Sequence, residues 1–338
     1  MSDPYATSTP SNHLHASIQA PLADGAKSGF GGGRTVLETP ADINLFDRLS
    51  PLSAKRRNVL SLLLFIGTCL WFWVPLDRLV TVALENEHFS HVLLIPWVSA
   101  YILFMDRIVL LTSKKWNPTL GMLFLGCGAC AYLVVGGQDG TSDRLAIAIA
   151  AFVLMCWGIF LGGFGSKSFR QHAFALLFLL AIVPIPSVVL DATIELLQRS
   201  SAEVVDVLFS MLGIPVFREG FIFRLSNFTI QVAEECSGIR SFLSLVITSL
   251  LAGYWFLRSG WSKVCLVGFV IPLAIFKNAC RIVGLALLAN YVDPTYITNS
   301  LLHRAGGIPL FVLALVILIG IVWVLRQFEH RLGVKPVR

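Results

Sequence analysis

The chain has 338 residues, of which 56% are hydrophobic and 14% are charged, and its mean hydropathy is +0.75. Soluble domains average about 25% charged residues, so this composition excludes an ordinary soluble globular protein. The net charge of +6 does not indicate nucleic-acid binding, because the basic residues stand beside apolar runs, as they do at the cytoplasmic ends of membrane helices. Several runs approach the ~20 residues that cross a bilayer as a helix. We therefore predict an all-α polytopic membrane protein.

The first segment differs from the rest. Residues 1–57 are polar and rich in Gly, Ser, Pro and Thr, a composition that predicts disorder. Lys55-Arg56-Arg57 precedes the first apolar run, which predicts a cytoplasmic N-terminus. We expect a disordered cytoplasmic tail (1–57), a transmembrane domain (58–328) and a cytoplasmic C-terminal tail (329–338).

The apolar runs predict about eight transmembrane helices with both termini on the cytoplasmic side. In chain order the predicted spans are Val59–Leu76, His91–Phe104, Leu120–Val135, Leu145–Phe164, Ala173–Leu190, Phe242–Phe256, a seventh beginning near Val264, and Ile308–Leu325. Basic residues gather at alternate ends of these runs, as expected for the cytoplasmic ends. The segment from Asp77 to Glu87 is predicted to be the first outer loop.

The region between the fifth and sixth spans has a different pattern. Pro184-Ile185-Pro186 predicts a helix break near the outer end of the fifth span. Residues 191–213 place apolar and charged side chains at helical spacing, which predicts an amphipathic helix in the outer interface. The alternation from Val216 to Val232, with a turn at Ser226-Asn227, predicts a small outer-face β-hairpin.

Seven cysteines are scattered along the chain, six of them within apolar segments. Cys127 and Cys130 form a C-x-x-C pair, but no second ligand pair accompanies it. We interpret this pair as packing, and we predict neither a cofactor nor a metal site.

Three residues distant in sequence are predicted to meet at the outer membrane face. Cys236 begins a span that runs inward, Arg281 ends a span that runs outward, and His303 lies in the loop that follows. A neighbouring imidazole or guanidinium raises the thiolate fraction of a cysteine, and an arginine can stabilise the oxyanion formed when a thiolate attacks a carbonyl. The set therefore predicts nucleophilic catalysis.

Other interpretations of these residues remain open. Cys236 could be a structural thiol, and Arg281 could extend to the lipid headgroups or pair with Glu234 or Glu235. His91 competes with His303, because it also begins a span on the outer side.

The motifs that surround these residues resemble the exosortase/archaeosortase family of membrane-embedded cysteine transpeptidases. The resemblance covers most of the chain from about Leu60 to Arg326. The motifs that carry it are Phe89-Ser90-His91 with Ile95-Pro96, Val183 to Pro186, Leu212 to Gly220, the segment Val232-Ala233-Glu234-Glu235-Cys236-Ser237-Gly238-Ile239-Arg240-Ser241, Asn278 with Arg281-Ile282, and His303. A histidine at position 303 favours the bacterial exosortase branch.

The resemblance implies an enzyme of protein sorting in the cell inner membrane, with its site facing the periplasm. Its partners would be exported, membrane-anchored proteins that carry a C-terminal signal: a short motif such as Pro-Glu-Pro, a transmembrane helix and a basic cluster (PEP-CTERM). Cys236 would form a thioester, His303 would act as general acid and base, and Arg281 would stabilise the substrate or oxyanion. The acyl group would pass to an unknown acceptor or to water.

Two alternatives belong to other function classes. A transporter would use Arg281 and the broken fifth helix to line a substrate path. A structural subunit of an envelope polysaccharide export system would need none of the three site residues for chemistry.

Overall fold

A computed structural model of the chain describes residues 44–85, 91–111, 117–135, 142–225, 229–232, 237–291 and 307–333. The chain divides into two units, Met1–Phe46 and Asp47–Arg338, and the second contains the elements that carry the fold.

The described part of the chain is mainly helical. Its helices, in chain order, are α1 (Asn44–Trp71), α2 (Trp73–Glu85), α3 (Ile95–Met105), α4 (Arg107–Leu111), α5 (Pro118–Val135), α6 (Ser142–Gln171), α7 (Ala173–Phe178), a 3-10 turn (Leu179–Ile182), α8 (Ser187–Met211), α9 (Ile239–Phe256), α10 (Gly260–Tyr291) and α11 (Gly307–Arg331). Three short strands, β1 (Phe217–Glu219), β2 (Ile222–Arg224) and β3 (Thr229–Gln231), form an antiparallel sheet in the order β1-β2-β3.

The long apolar helices make the chain a multi-pass membrane protein. By length and composition, four described helices (α6, α9, α10 and α11) can each cross a membrane. Two bent pairs raise the number to six if each is one span: Lys55–Trp71 with α2, bent by 66°, and Ala173–Ile182 with α8, bent by 89°. The remaining predicted spans coincide with shorter apolar helices, His91–Met105 and Pro118–Val134. The polytopic α-helical class is therefore confirmed, and four to six helices meet the criteria for a span where about eight were predicted.

The prediction of an outer loop from Asp77 to Glu87 is wrong for residues up to Glu85, which belong to α2. Pro75 lies in the first turn of this helix, where a missing N–H is tolerated. The side chains buried by α2 are Pro75, Leu79 and Ala83. They recur every four residues, so the charged residues between them lie on the other face of a helix.

The ends of the helical region also differ from the predicted domain boundaries. Helix α1 begins at Asn44, so residues 44–57 of the predicted tail are helical. Helix α11 ends at Arg331, three residues into the predicted C-terminal tail.

The chain turns sharply at the predicted proline break. Residues 184–186 are not helical, and α8 begins directly after them at Ser187. Asp143, at the start of α6, accepts hydrogen bonds from the Ser187 backbone N–H (2.7 Å) and from its hydroxyl (2.8 Å). This carboxylate caps the first turn of α8, where backbone N–H groups lack helical partners. The predicted helix over residues 191–213 is confirmed as α8.

A three-stranded sheet follows α8, where a two-stranded hairpin was predicted. Gly213, with φ +67°, ends the helix, and the Ile214 N–H donates to the Phe209 carbonyl at 3.1 Å in a Schellman motif. The additional strand arises because β1 and β2 are joined at Gly220, which has φ +63°. The predicted turn at Ser226-Asn227 lies outside the described residues.

An ion pair attaches the sheet to α8. Arg218 of β1 donates to both carboxylate oxygens of Glu203, at 3.0 and 2.6 Å, and lies 3.6 Å from Asp206. The hydrogen bonds that Arg218 donates to Glu203 are the main cause of the raised pKa of Arg218.

Helix α10 is shared by two of the apolar clusters. One cluster joins α8, the sheet and α10, and its buried members are Ala202, Val205, Phe209, Phe223, Leu225, Val232, Ala279, Ile282, Val283 and Ala286. Another joins α9, α10 and α11, with Leu245, Leu266, Val270, Ala274, Ala314 and Leu318 among its buried residues. Because α10 packs against three other helices, its polar side chains lie where these elements converge.

Candidate active site

One stretch of α10, from Lys277 to Arg281, contacts three other elements through polar side chains. Lys277 is 7% exposed and Asn278 is 2% exposed, and Arg281 is half-buried. Charged side chains within a membrane helix are costly, so they commonly mark functional sites. Lys277 and Arg281 are four residues apart and therefore share a helix face.

Asn278 joins α8 to the start of α9. Its Nδ2 donates to the hydroxyl of Ser201 on α8 at 3.1 Å. Its Oδ1 lies 2.9 Å from the position that a β-carbon on Gly238 would occupy. Gly238 has φ +76°, a conformation that glycine adopts without the steric cost of a side chain. Position 238 therefore needs glycine for both its backbone conformation and its contact with Asn278.

Gly238 is the N-cap of α9, and its carbonyl accepts two hydrogen bonds. One comes from the Phe242 N–H at 3.0 Å and the other from the Ser241 hydroxyl at 2.8 Å. The Ser241 oxygen in turn accepts a hydrogen bond from Lys277 Nζ. A continuous chain of hydrogen bonds therefore links the buried ammonium of Lys277 to the turn that begins α9.

Arg281 lies close to the start of α11. A β-carbon on Gly307, the first residue of α11, would lie 3.9 Å from Arg281 Nε. Arg281 thus lies beside the first residue of α11, about one helical turn beyond the contact between Asn278 and Gly238.

Only one of the three predicted catalytic residues lies in the described part of the chain. Arg281 does, whereas Cys236 and His303 lie outside it. The described residues nearest to them in sequence on the C-terminal side are Ser237 and Gly307. Ser237 is 2% exposed and adjoins Gly238, which contacts Asn278. The structure therefore brings the described chain flanking Cys236 and the described chain flanking His303 to one stretch of α10.

The competing histidine lies on another element. His91 begins the helical stretch His91–Met105, and Val92 packs in a cluster with Phe72, Ile149 and Phe178. This cluster is distinct from the one that contains Ile282 and Val283 of α10.

The described residues contain no group of three or more His, Cys, Asp and Glu side chains that could hold a metal ion. Cys127 and Cys130 are free and exposed on α5.

The sequence prediction missed Lys277. The sequence does contain a feature that could have identified it: Lys277 lies inside an apolar run, four residues before Arg281. Its hydrogen bond to Ser241 depends on the packing of α9 against α10, which spacing along one helix does not reveal.

A comparison with known protein families agrees with the resemblance that the sequence motifs indicate. A family model for transmembrane exosortases (Exosortase_EpsH) matches residues 81–320. No curated protein and no solved structure matches the chain. The matched segment covers most of the chain, from α2 to α11, and includes Asn278, Arg281 and the positions of Cys236 and His303. The chain belongs to the transmembrane exosortase family, whose members are membrane peptidases or transpeptidases.

Proposed function

We propose that this exosortase is a cysteine-dependent protein-sorting transpeptidase or protease. It cleaves the C-terminal PEP-CTERM-type signal of exported, membrane-anchored proteins at the outer face of the cell inner membrane. Both termini lie in the cytoplasm, and the site opens to the periplasm.

In this mechanism Cys236 is the nucleophile. Its thiolate attacks a peptide carbonyl near the signal motif and forms a tetrahedral oxyanion, which Arg281 stabilises. The C–N bond then breaks, His303 gives a proton to the leaving amine, and a thioester remains on Cys236. An acceptor nucleophile or water attacks the thioester, gives its proton to His303, and releases the thiolate.

The observation that carries the proposal is the position of two α10 side chains. Asn278 Oδ1 lies 2.9 Å from the β-carbon position of Gly238, and Arg281 Nε lies 3.9 Å from the β-carbon position of Gly307. Cys236 precedes Gly238 by two residues, so covalent geometry limits the distance between their Cα atoms to about 7 Å. His303 precedes Gly307 by four residues, which corresponds to at most about 14 Å. These limits are compatible with a thiol, an imidazole and a guanidinium that share one substrate bond.

The test is processing of a co-expressed protein that ends in Pro-Glu-Pro, an apolar helix and an arginine cluster. Cys236→Ala should leave the tail of this protein uncleaved while the enzyme reaches the membrane in normal amounts. Cys265→Ala is the matched control, since Cys265 is a free, exposed cysteine on α10 and should be dispensable. Continued cleavage by the Cys236→Ala variant would overturn the proposal.

Three further variants test the proposed roles of His303 and Arg281. His303→Ala and His91→Ala should differ, with only the first abolishing cleavage, because general acid–base catalysis contributes roughly 10²–10⁴-fold. The opposite result would transfer the acid–base role to His91.

Arg281→Lys retains a charge but not the planar guanidinium, so we expect substantial loss of cleavage.

A further inference from the structure

We propose that Lys277 is a positioning residue for the nucleophile: its ammonium holds the turn that follows Cys236 and favours the thiolate. This inference rests on the proposed role of Cys236. It assigns a role to a buried lysine that the three-residue catalytic set does not include.

The first part of the argument is the hydrogen-bond chain. Lys277 Nζ donates to the Ser241 hydroxyl, and the hydroxyl donates to the Gly238 carbonyl at 2.8 Å. The direction is consistent, because an ammonium can only donate and a serine hydroxyl both accepts and donates. Lys277 therefore acts on the backbone of the residue that lies two positions after Cys236.

The second part is the local charge. Lys277 is 7% exposed, and no carboxylate among the described residues lies within 4 Å of its ammonium. Helix α9 begins at Ile239 and presents the positive end of its dipole at the same place. Arg281 adds a second cation on the same face of α10. An ammonium buried in this setting is stabilised by a nearby anion.

Among the described residues, no carboxylate on the elements packed against α10 pairs with Lys277. On α9 the nearest charged residue is Arg240, which is exposed. Three of the four carboxylates of α8 pair elsewhere: Glu195 with Arg199, and Glu203 and Asp206 with Arg218 of β1. The fourth, Asp191, is exposed near the start of α8, ten residues before Ser201. On α11 the acidic residue Glu329 lies at the opposite end of the helix, where it accepts from Arg258 and Ser259.

A thiolate at residue 236 fits this site. Thiols at helix N-termini and beside lysine or arginine ionise more readily. Cys236 precedes the first residue of α9 by three positions, and covalent geometry limits the distance between their Cα atoms to about 11 Å.

The experiment measures the alkylation of Cys236 by iodoacetamide in the full-length enzyme in membranes, as a function of pH. Peptide-resolved mass spectrometry follows Cys236, with Cys265 as the internal control in the same sample. Because the thiolate is the reactive form, the midpoint of the rate profile reports its ionisation. The measurement needs no substrate.

Two variants separate charge from hydrogen bonding. Lys277→Gln keeps a donor for Ser241 but removes the charge, and we expect the Cys236 midpoint to rise by about one pH unit or more. The rate at pH 7 should then fall by about tenfold, while Cys265 is unchanged. Lys277→Arg should keep the midpoint near that of the wild type. Lys263→Gln removes a lysine about 21 Å earlier on the same helix, and should shift nothing.

The role of Lys277 in holding the turn is tested by Ser241→Ala, which keeps the ammonium and removes the bridge to Gly238. Cleavage should fall several-fold while the alkylation midpoint of Cys236 stays near that of the wild type. Because this variant preserves the buried charge, it provides a test that does not depend on the folding of Lys277→Gln.

The outcomes distinguish this inference from the proposed function. An unchanged midpoint in Lys277→Gln, together with an inactive Cys236→Ala enzyme, would overturn the role of Lys277 alone. Loss of cleavage in Ser241→Ala with cleavage retained in Cys236→Ala would indicate a serine–lysine pair at Ser241 and Lys277. That result would overturn both proposals.

Discussion

Asn278 Oδ1 lies 2.9 Å from the point that a β-carbon on Gly238 would occupy, and Asn278 Nδ2 donates to Ser201. One amide side chain of α10 therefore contacts both α8 and the N-cap of α9. Because Gly238 follows Cys236 by two residues, we expect a change in this contact to move the proposed nucleophile.

We expect Gly238→Ala to impair the enzyme strongly. A β-carbon at φ +76° costs about 1–2 kcal/mol in the left-handed conformation, and the contact with Asn278 adds to that cost. A shift of the proposed nucleophile by about 1 Å can lower activity by about 10²-fold. Substrate cleavage and the thermal unfolding midpoint in detergent measure the two effects.

Gly284→Ala is the matched control, since Gly284 lies within α10 with open space around its β-position. This change should leave cleavage intact and raise stability by up to about 1 kcal/mol. Equal activity of the Gly238→Ala and wild-type enzymes would show that the contact with Asn278 does not constrain the site.

The hydrogen bond between Asn278 and Ser201 should appear as coupling in a double-mutant cycle. Both side chains are at most 2% exposed, so Ser201→Ala leaves a buried amide group without this partner, at a cost of about 1–3 kcal/mol. Asn278→Ala also removes the contact with Gly238 and should cost more. The free energy of unfolding of the double variant should be less than additive, by about 0.5–3 kcal/mol. Strict additivity would contradict a direct interaction.

The contact between α5 and α6 should tolerate no added side chain at Gly121. A β-carbon there would lie 2.7 Å from the Gly162 Cα and 2.9 Å from the Gly158 carbonyl oxygen. Small residues let membrane helices approach closely, so Gly121→Ala should destabilise the protein by about 1–3 kcal/mol. Gly126→Ala on the same helix meets nothing within 4 Å and should be neutral or slightly stabilising. Similar unfolding midpoints for the two variants would argue against this helix packing.

Glu329 should stabilise the connection between α9 and α10. Its carboxylate is buried and accepts from the Arg258 N–H at 3.0 Å and from the Ser259 N–H at 2.7 Å. Glu329→Gln replaces charge-assisted hydrogen bonds by neutral ones and should cost about 1–2 kcal/mol of stability. Glu195→Gln alters an exposed pair with Arg199 and should change the unfolding midpoint little. An equal effect of the two substitutions would rule out a special role for Glu329.

Hydropathy predicted the helices well, because a helix needs about 20 apolar residues to cross the hydrocarbon layer of a bilayer. Each of the eight predicted spans overlaps an apolar helical stretch, although the first and fifth each include a bend between two helices, and the break at Pro184 to Pro186 lies where it was expected. The bend angles and the short helices were not predictable, because they depend on packing between elements. In α2, the charged residues Asp77 and Arg78 were interpreted as a loop, although Leu79 and Ala83 mark a buried helix face.

The site was only partly predictable for a similar reason. Arg281 was selected from its place at the end of a span and Asn278 from the family resemblance, but their proximity to Gly307 and Gly238 joins segments far apart in sequence. Lys277 was overlooked because its significance depends on Ser241, which belongs to another helix. Side-chain partners across helices depend on rotation and crossing geometry, which composition does not specify.

Helix α10 has 32 residues and is therefore about 48 Å long, whereas the hydrocarbon layer of a bilayer is about 30 Å thick. Its C-terminal part is covered by α8 and the sheet through Ala279, Ile282, Val283 and Ala286. A helix that is too long for the bilayer normally adjusts by tilting, but tilting α10 alone would separate it from this covering layer. Protein contacts therefore set the position of Arg281 relative to α8 and the sheet, and we expect this position to vary little between membranes of different thickness.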